Sequence, residues 1–398
     1  MHPARPVARI APVPLALAAL VGASGCDRTS SADSADVVTD SAGIRIVESH
    51  AIDTRDSPWT IDPEPLFRAG WTEGGVEFRT IWRGVIRDDA VIVADFGSNF
   101  VVRLPLDGGP PTMLGEAGEG PGEFGRVGTM LELGGDTLLI TDSGNTRVSV
   151  FTEDAFAYDR RYEAFVAEAI YEPVSRTADG TFLLGPSAFA LTQQPDPGWR
   201  AYPLLATTDF VVMDTVGTVE MMRFGDADDR NPINLRGIVA GSSAGFVYGR
   251  TDRSEVRWLD PAGAVTQIAR WTPPPGEATD ADRDAYEAWY RERVDPGSDP
   301  EAWERRLRDA LADFGGPMPA FSWLETDSRG NAWVGNHDFS AWVRRFDVFG
   351  RDGRWLARVS LPRPARLLDV SDDAVLVYER DELDVQGVVL YRIDRSGG

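Results

Sequence analysis

"PPTMLGEAGEGPGEFGRVGTMLELGGDTLLITDSGNTRVSVF", Pro110 to Phe151, can be laid over "EPLFRAGWTEGGVEFRTIWRGVIRDDAVIVADFGSNFVVRL", Glu64 to Leu104. "GPGEF" falls on "GGVEF", "TLLITDSG" on "AVIVADFG" and "RVSVF" on "FVVRL". Asp95 and Asp142 stand 47 positions apart, and Phe78 and Phe124 stand 46 apart. The chain repeats itself with a slip of one residue. Within each unit the apolar runs are short, rich in Val, Ile and Leu, and bounded by Gly and Asp, which is the grammar of strands.

Later units diverge but keep the punctuation. "ADGTFLLG" from Ala178, "SAGFVYGRTD" from Ser243, "SRGNAWVGN" from Ser328 and "SDDAVLVYERD" from Ser371 each read as a turn followed by a strand. A repeat region of some 340 residues, less one insertion of about 43, gives roughly six units of four strands, the signature of propeller blades. The expectation is an all-β, six-bladed β-propeller. Its last unit supplies three strands before Gly398, so the outer strand is expected from "EPLFRAG" near the other end of the chain. Such an arrangement leaves no open edge in the ring.

The glycines of "GEAGEGPGEF" (Gly115 to Phe124) invite a phosphate-cradle reading, which fails. A Walker loop needs Lys and a following helix, whereas this chain has no Lys and a strand follows. The segment is a tight crossing between blades, where positive φ is common.

Gly120-Pro121-Gly122-Glu123-Phe124 with "TDSGNTRVSVF" resembles an NHL-type blade, and the region from about 58 to 394 resembles the bacterial six-bladed propeller lipoproteins. "DSAGIRIVES" also resembles the start of those proteins. The resemblance implies a binding platform, with some relatives acting as metal-dependent lyases or hydrolases in the central channel. It speaks to fold more than to chemistry.

The N-terminus reads as an address. "MHPARPVAR" is a basic head, "IAPVPLALAALV" an apolar stretch too short to span a bilayer, and "GASGC" ends on Cys26, the single cysteine. "ASGC" resembles a lipobox, with Ala23 where Leu is usual, and implies lipid on Cys26. The expected organisation is a signal peptide over 1–25, a flexible acidic tether over 26–55, and a propeller over 56–396 with a helical insertion at 276–318. The address is the bacterial cell envelope, periplasmic or at the outer-membrane face. One cysteine excludes disulfides and, once lipidated, a thiolate enzyme. A net charge of −23 with no basic run excludes nucleic-acid binding.

Chemistry-bearing residues are sparse. "GSSAG" (Gly241 to Gly245) matches a nucleophile elbow formally, but a strand follows where a helix is required. Asp95 and Asp142 end the second strands of adjacent units. There they suit calcium through oxygen ligands, or else cap their own turns. Arg250 and Arg380 share that blade position and suit either a carboxylate ligand or local acids. His337 lies in "GNHDF" past the second strand of the fifth unit, as a base, a ligand or a plain loop residue. In the insertion, Thr279 with Asp282 and Asp299 with Pro300 mark two helix starts. Tyr286, Trp289, Tyr290 and Val294 share one face, and Trp303, Leu307, Ala310, Leu311 and Phe314 another. The hairpin packs on a blade, or serves as a lid or docking face.

The function expected is a monomeric, ligand- or protein-binding platform attached to the membrane through Cys26, rather than an enzyme. No cofactor is expected, calcium excepted. The alternative is a metal-assisted hydrolase or lyase with its site in the central channel.

Overall fold

The computed structural model describes residues 36–396 apart from 71–74, 167, 188–197, 224–232, 234, 273, 275, 294–298, 338, 340–342 and 384. Cys26 and the signal segment lie outside the described residues, as does Val294. Three strands open the described chain: β1 (Val37–Ser41), β2 (Ile44–Ser49) and β3 (Thr60–Gly70). Then come β4 (Ile81–Ile86), β5 (Ala90–Asp95), β6 (Phe100–Pro105), β7 (Thr112–Gly115), β8 (Val127–Glu132), β9 (Thr137–Asp142), β10 (Arg147–Thr152) and β11 (Ala155–Arg161). The middle holds β12 (Phe165–Val166), β13 (Ala169–Arg176), β14 (Phe182–Pro186), β15 (Gly198–Thr207), β16 (Asp214–Arg223), β17 (Gly237–Ser242), β18 (Gly245–Arg250), β19 (Glu255–Leu259) and β20 (Val265–Trp271). Two helices, α1 (Asp280–Arg293) and α2 (Pro300–Ala312), precede β21 (Trp323–Thr326), β22 (Ala332–Gly335), β23 (Val343–Phe349), β24 (Trp355–Val370), β25 (Ala374–Arg380) and β26 (Gln386–Asp394).

These strands form antiparallel meanders, the all-β propeller fold: β4 to β7, β8 to β11, β13 to β16, β17 to β20, and a seven-stranded sheet running β21 to β26 and ending on β3. Burial explains the sequence pattern. The second strand of each meander is covered on both faces: β5 is buried throughout, as are β14 and β22. The outer strand β11 is exposed along nearly its whole length. A strand covered on both faces reads as a continuous apolar run, which is why "AVIVAD" and "TLLITD" carry the repeat.

β24 is 16 residues long and serves twice. Its first part pairs with β23, through Trp355 to Ser360 and again at Ala365, and its last part pairs with β25, through Arg366 to Val370. Pro362 and Pro364 stand in the register shift between Ser360 and Ala365, where the missing N–H groups cost no ladder bond. At the far edge β3 lies antiparallel beside β26, from Gly70 opposite Gly387 to Thr60 opposite Asp394. The N-terminal strand closes the sheet as the repeat requires.

The Gly115–Phe124 crossing is held from the following strands. Asn145 Nδ2 donates to Gly118 O at 2.8 Å, and Arg147 Nη2 donates to Gly120 O and Glu123 O at 2.6 and 2.7 Å. Gly122 has φ +74°, and a Cβ on Gly115 would stand 2.2 Å from Gly122 O. The loop presents carbonyls to an arginine, the opposite of a phosphate cradle.

The flexible tether expected over 26–55 is corrected from Val37 onward. β1 and β2 form a hairpin through Ala42 and Gly43, both at positive φ, and β2 then adds in parallel to the outer edge of β20. Val47 is fully buried and Ile52 nearly so. The acidic composition of the segment concealed the alternation of "IRIV", which is enough to cover a sheet edge.

The helices start where their caps are. Thr279 and Asp282 bond reciprocally, and the Asp299 carboxylate accepts from Ala302 N at 2.9 Å. Ala278 N to Gly316 O and Met318 N to Gly276 O, both 2.8 Å, tie the two ends of the excursion together. Tyr286, Tyr290, Trp303, Leu307 and Ala310 form a cluster of their own, joined from the propeller by Phe339.

Candidate functional site

The first strands of the meanders surround a central cavity of about 260 Å³. Its wall takes Arg83 from β4, Glu132 from β8, Glu172 from β13, Val239 from β17, Glu325 from β21 and Asp369 from β24. A recess of about 90 Å³ shares Arg83, Glu172, Val239 and Glu325 with it and adds Arg236 and Trp323. Arg236 and Trp323 stand at the starts of their strands, whereas Glu132 and Asp369 stand at the ends. The channel is therefore polarised along its axis.

At the acidic end, Asp369 accepts from Ile86 N and Val370 N, both at 2.8 Å. Burial pushes its carboxyl up to about 6 against those two donors, and Glu132 and Asp327 push it the same way. Glu132 is also raised by burial, although Arg87 pairs with it at 3.2 Å. In the middle layer, Arg83 reaches Glu172 at 3.5 Å. Burial raises Glu325, Arg83 opposes the rise, and Asp369 and Glu172 add to it. A carboxyl raised in this way takes up a proton more readily than an exposed one.

The other end is basic and aromatic. The Arg366 guanidinium carbon lies 4.8 Å from the centre of the Trp82 ring and 5.0 Å from that of the Trp323 ring. Its Nε and Nη2 are buried without a partner, as is Trp323 Nε1. Burial lowers Arg366 to about 10, and the like charges of Arg83 and Arg236 lower it further against Tyr378 and Glu172. Arg236 is lowered by burial.

Asp95 and Asp142, each fully buried, hold their carboxylates against backbone. Asp95 accepts from Arg79, Thr80 and Ser98 N–H at 2.7, 2.9 and 2.6 Å. Asp142 accepts from Gly125, Arg126, Gly144 and Asn145 N–H at 2.8 to 3.1 Å. A calcium ion there would have to displace those donors. Arg250 is held by Asp252 and Glu220 over the Trp199 ring, and Arg380 donates to the Tyr378 hydroxyl at 2.8 Å. These four sit on separate second strands, at the end of each strand that faces the start of the first strand.

His337 stands apart from them. Both its ring nitrogens are buried without a partner, and it lies edge-on to Phe339 at 5.5 Å. Burial lowers it to about 4, Arg236 acts in the same direction, and Asp282 of α1 opposes. Phe339 meets Tyr286 of α1 at 5.6 Å, so the foot of the helical hairpin adjoins the basic end of the channel.

The channel charges were not singled out from sequence. They lie in "IWRGVI", "AIYEPV", "RGIVAG", "SWLET" and "ARLLDV", the first strands of their units. A charged residue inside an otherwise apolar first strand was the available signal.

No family model matches the chain, and no curated protein sequence does. Among solved structures, a member of the DUF4221 family from Bacteroides vulgatus is 7% identical with a TM-score of 0.50, covering 85% of this chain and 99% of that one. Regucalcin, a calcium-binding protein from Agrobacterium tumefaciens, is 11% identical with a TM-score of 0.43, covering 84% and 95%. Virginiamycin B lyase from Staphylococcus aureus is 9% identical with a TM-score of 0.40, covering 80% and 81%. Identities this low speak of fold alone.

Proposed function

We propose that the chain is a six-bladed, NHL-like propeller that binds a small charged ligand in its central channel. In this reading it is a monomer tethered by lipid on Cys26 to the extracytoplasmic face of a bacterial membrane. One observation carries the binding reading: charged side chains from five of the six first strands line the cavity, where packing alone calls for small apolar ones. The blade count is supported by the two-part pairing of β24, which makes two blades of the seven-stranded sheet. The anchor and the location rest on the sequence alone, on the apolar stretch that ends at Cys26.

A metal-assisted hydrolase or lyase has no observation in its favour. Among the described residues, no three His, Cys, Asp or Glu side chains are placed to hold a metal ion. Docking of a protein on the rim remains the alternative form of the platform, with the helical hairpin as its natural contact.

Val239 borders both the cavity and the recess, so Val239→Trp fills the channel from one side chain. A panel of small charged metabolites, followed by thermal shift on wild type, should give hits that this variant loses. Hits that survive at unchanged affinity would place binding outside the channel. For the anchor, Cys26→Ser should move the protein from the membrane to the soluble fraction. An unmodified Cys26 in the mature wild-type protein, read by mass spectrometry, would remove the lipid from the proposal.

A further inference from the structure

Five acids line the central cavity, Glu132, Glu172, Glu325, Asp327 and Asp369, against a single base, Arg83. Three of the acids are answered by an arginine. Arg87 pairs with Glu132 at 3.2 Å, Arg83 with Glu172 at 3.5 Å and Arg395 with Asp327 at 3.1 Å. Among the described residues, Glu325 and Asp369 have only backbone donors. Asp369 takes one N–H on each carboxylate oxygen, from Val370 and Ile86, and Glu325 Oε1 takes a long bond of 3.4 Å from Thr326 N. Lone pairs remain on both carboxylates. The two acids lie deep in the molecule, yet each is half-buried rather than buried and lines the cavity, with the exposed Ser328 on its rim. A carboxylate placed so without a cation is costly, and packing gives no reason to set two of them around one space. A neutral group adds to the deficit. Thr129, 8% exposed, stands in the same wall with its Oγ1 unpartnered.

We propose that the cavity binds a small organic amine, whose ammonium group supplies the missing cation beside Glu325 and Asp369. This deepens the channel-binding reading and rests on it. An ammonium carries three donors and no acceptor, which suits acids with lone pairs to spare. Arg83 does not cancel the surplus, because Glu172 already engages it. A metal ion fits less well. Among the described residues, no three His, Cys, Asp or Glu side chains are placed to hold one, and about 260 Å³ leaves room for a carbon skeleton. Val85, Leu131, Val174 and Val239 in the same wall give that skeleton apolar surface to lie against. A net charge of −23 draws cations towards the molecule as a whole.

The test uses the full chain with Cys26→Ser, titrated with butylamine and putrescine at mildly alkaline pH, where a primary amine is still an ammonium. Butanol supplies the shape without the charge, and sodium and calcium chloride at equal ionic strength supply charge without the carbon chain. Melting temperature and calorimetric affinity are the readouts. Both amines should stabilise the protein beyond butanol and the salts, and Glu325→Gln should weaken them at least about tenfold. Asp369→Asn should weaken them less, since two backbone donors already hold that carboxylate. Glu325→Gln should melt no lower than the parent in amine-free buffer, because it removes a buried acid that has no cation. If Glu325→Gln fails to fold, Asp369→Asn and pH carry the test. Amine affinity in the parent should fall as pH is lowered through about 6, where Asp369 takes up a proton. Amine binding that persists in Glu325→Gln and Asp369→Asn yet is lost in Val239→Trp keeps the channel and overturns the acid pair. Binding unaffected by all three variants overturns both. An amine effect no greater than that of butanol, or calcium binding tighter than either amine, also overturns the amine site.

Discussion

Burial holds the imidazole of His337 neutral by lowering it to about 4, while in the unfolded chain it titrates near 6.5. Below about pH 6.5 the unfolded chain therefore takes up a proton that the native protein does not, and stability falls until about pH 4. Asp369 acts with the opposite sign. Its carboxyl is raised from 3.8 to about 6, so the native protein takes up the proton first and gains stability as pH falls from about 6 to 4. Each shift corresponds to roughly 3 kcal/mol at most, so the two largely cancel in the wild type. Single variants separate them. His337→Phe keeps a ring beside Phe339 and should lose less stability than wild type between pH 6.5 and 4. Asp369→Asn should lose more over the same interval, since the acid-side gain is gone. Urea unfolding at a series of pH values reads both, and parallel profiles for the three proteins would refute the assignment. These two residues also show how far the sequence could lead. "GNHDF" stands out because histidine is rare, whereas nothing in "ARLLDV" marks Asp369 out locally. Its environment is made by Ile86, Glu132 and Asp327, none of which is near it in the chain. A pattern read along one chain cannot convey that.

The elements differ in how openly the sequence declares them. The second strands are the plainest, because coverage on both faces demands a continuous apolar run. The helix starts are equally plain, because Thr279–Asp282 and Asp299–Pro300 are local caps whose chemistry needs no tertiary context. The β1–β2 hairpin is the least open. Val37 and Val38 remain exposed, and it is the parallel pairing to β20 that attaches "IRIV" to the propeller. The helical hairpin follows from the same reasoning. Its own aromatics form its core, and its two ends are already bonded to each other at Ala278–Gly316 and Met318–Gly276. Replacing 279–315 with a short Gly-rich turn should leave the propeller folded, with an unchanged β-type circular dichroism spectrum and a melting temperature only a few degrees lower. The variant should also expose the apolar side of Phe339. A product that is insoluble or lacks the β spectrum would make the helices part of the propeller core.

For the whole molecule the controlling fact is that the ring is closed by chain from opposite ends. β26 has only β3 on its outer side, and their pairing runs from Gly70–Gly387 to Thr60–Asp394. Gly70 has φ +98°, and a Cβ there would stand 2.8 Å from Gln386 O, so the junction is built around its absence. Trp59, just before β3, packs against Trp333 at 6.4 Å, which ties the closing strand to the preceding part of the sheet as well. Removing the chain through Ser49 deletes the β1–β2 hairpin but keeps this closure. Removing it through Gly70 deletes both and leaves β26 as a long, apolar, unpaired edge. The first truncation should remain monomeric with a modest fall in melting temperature, from the loss of Val47 and the β20 edge cover. The second should melt far lower and self-associate on size-exclusion chromatography, because an exposed edge recruits another strand. Gly70→Val tests the same junction without deleting anything, and should cost about 2–4 kcal/mol through positive φ and backbone collision together. If the two truncations melt alike and both stay monomeric, β3 does not hold the ring, and the closure inferred from the missing last strand is an incidental contact.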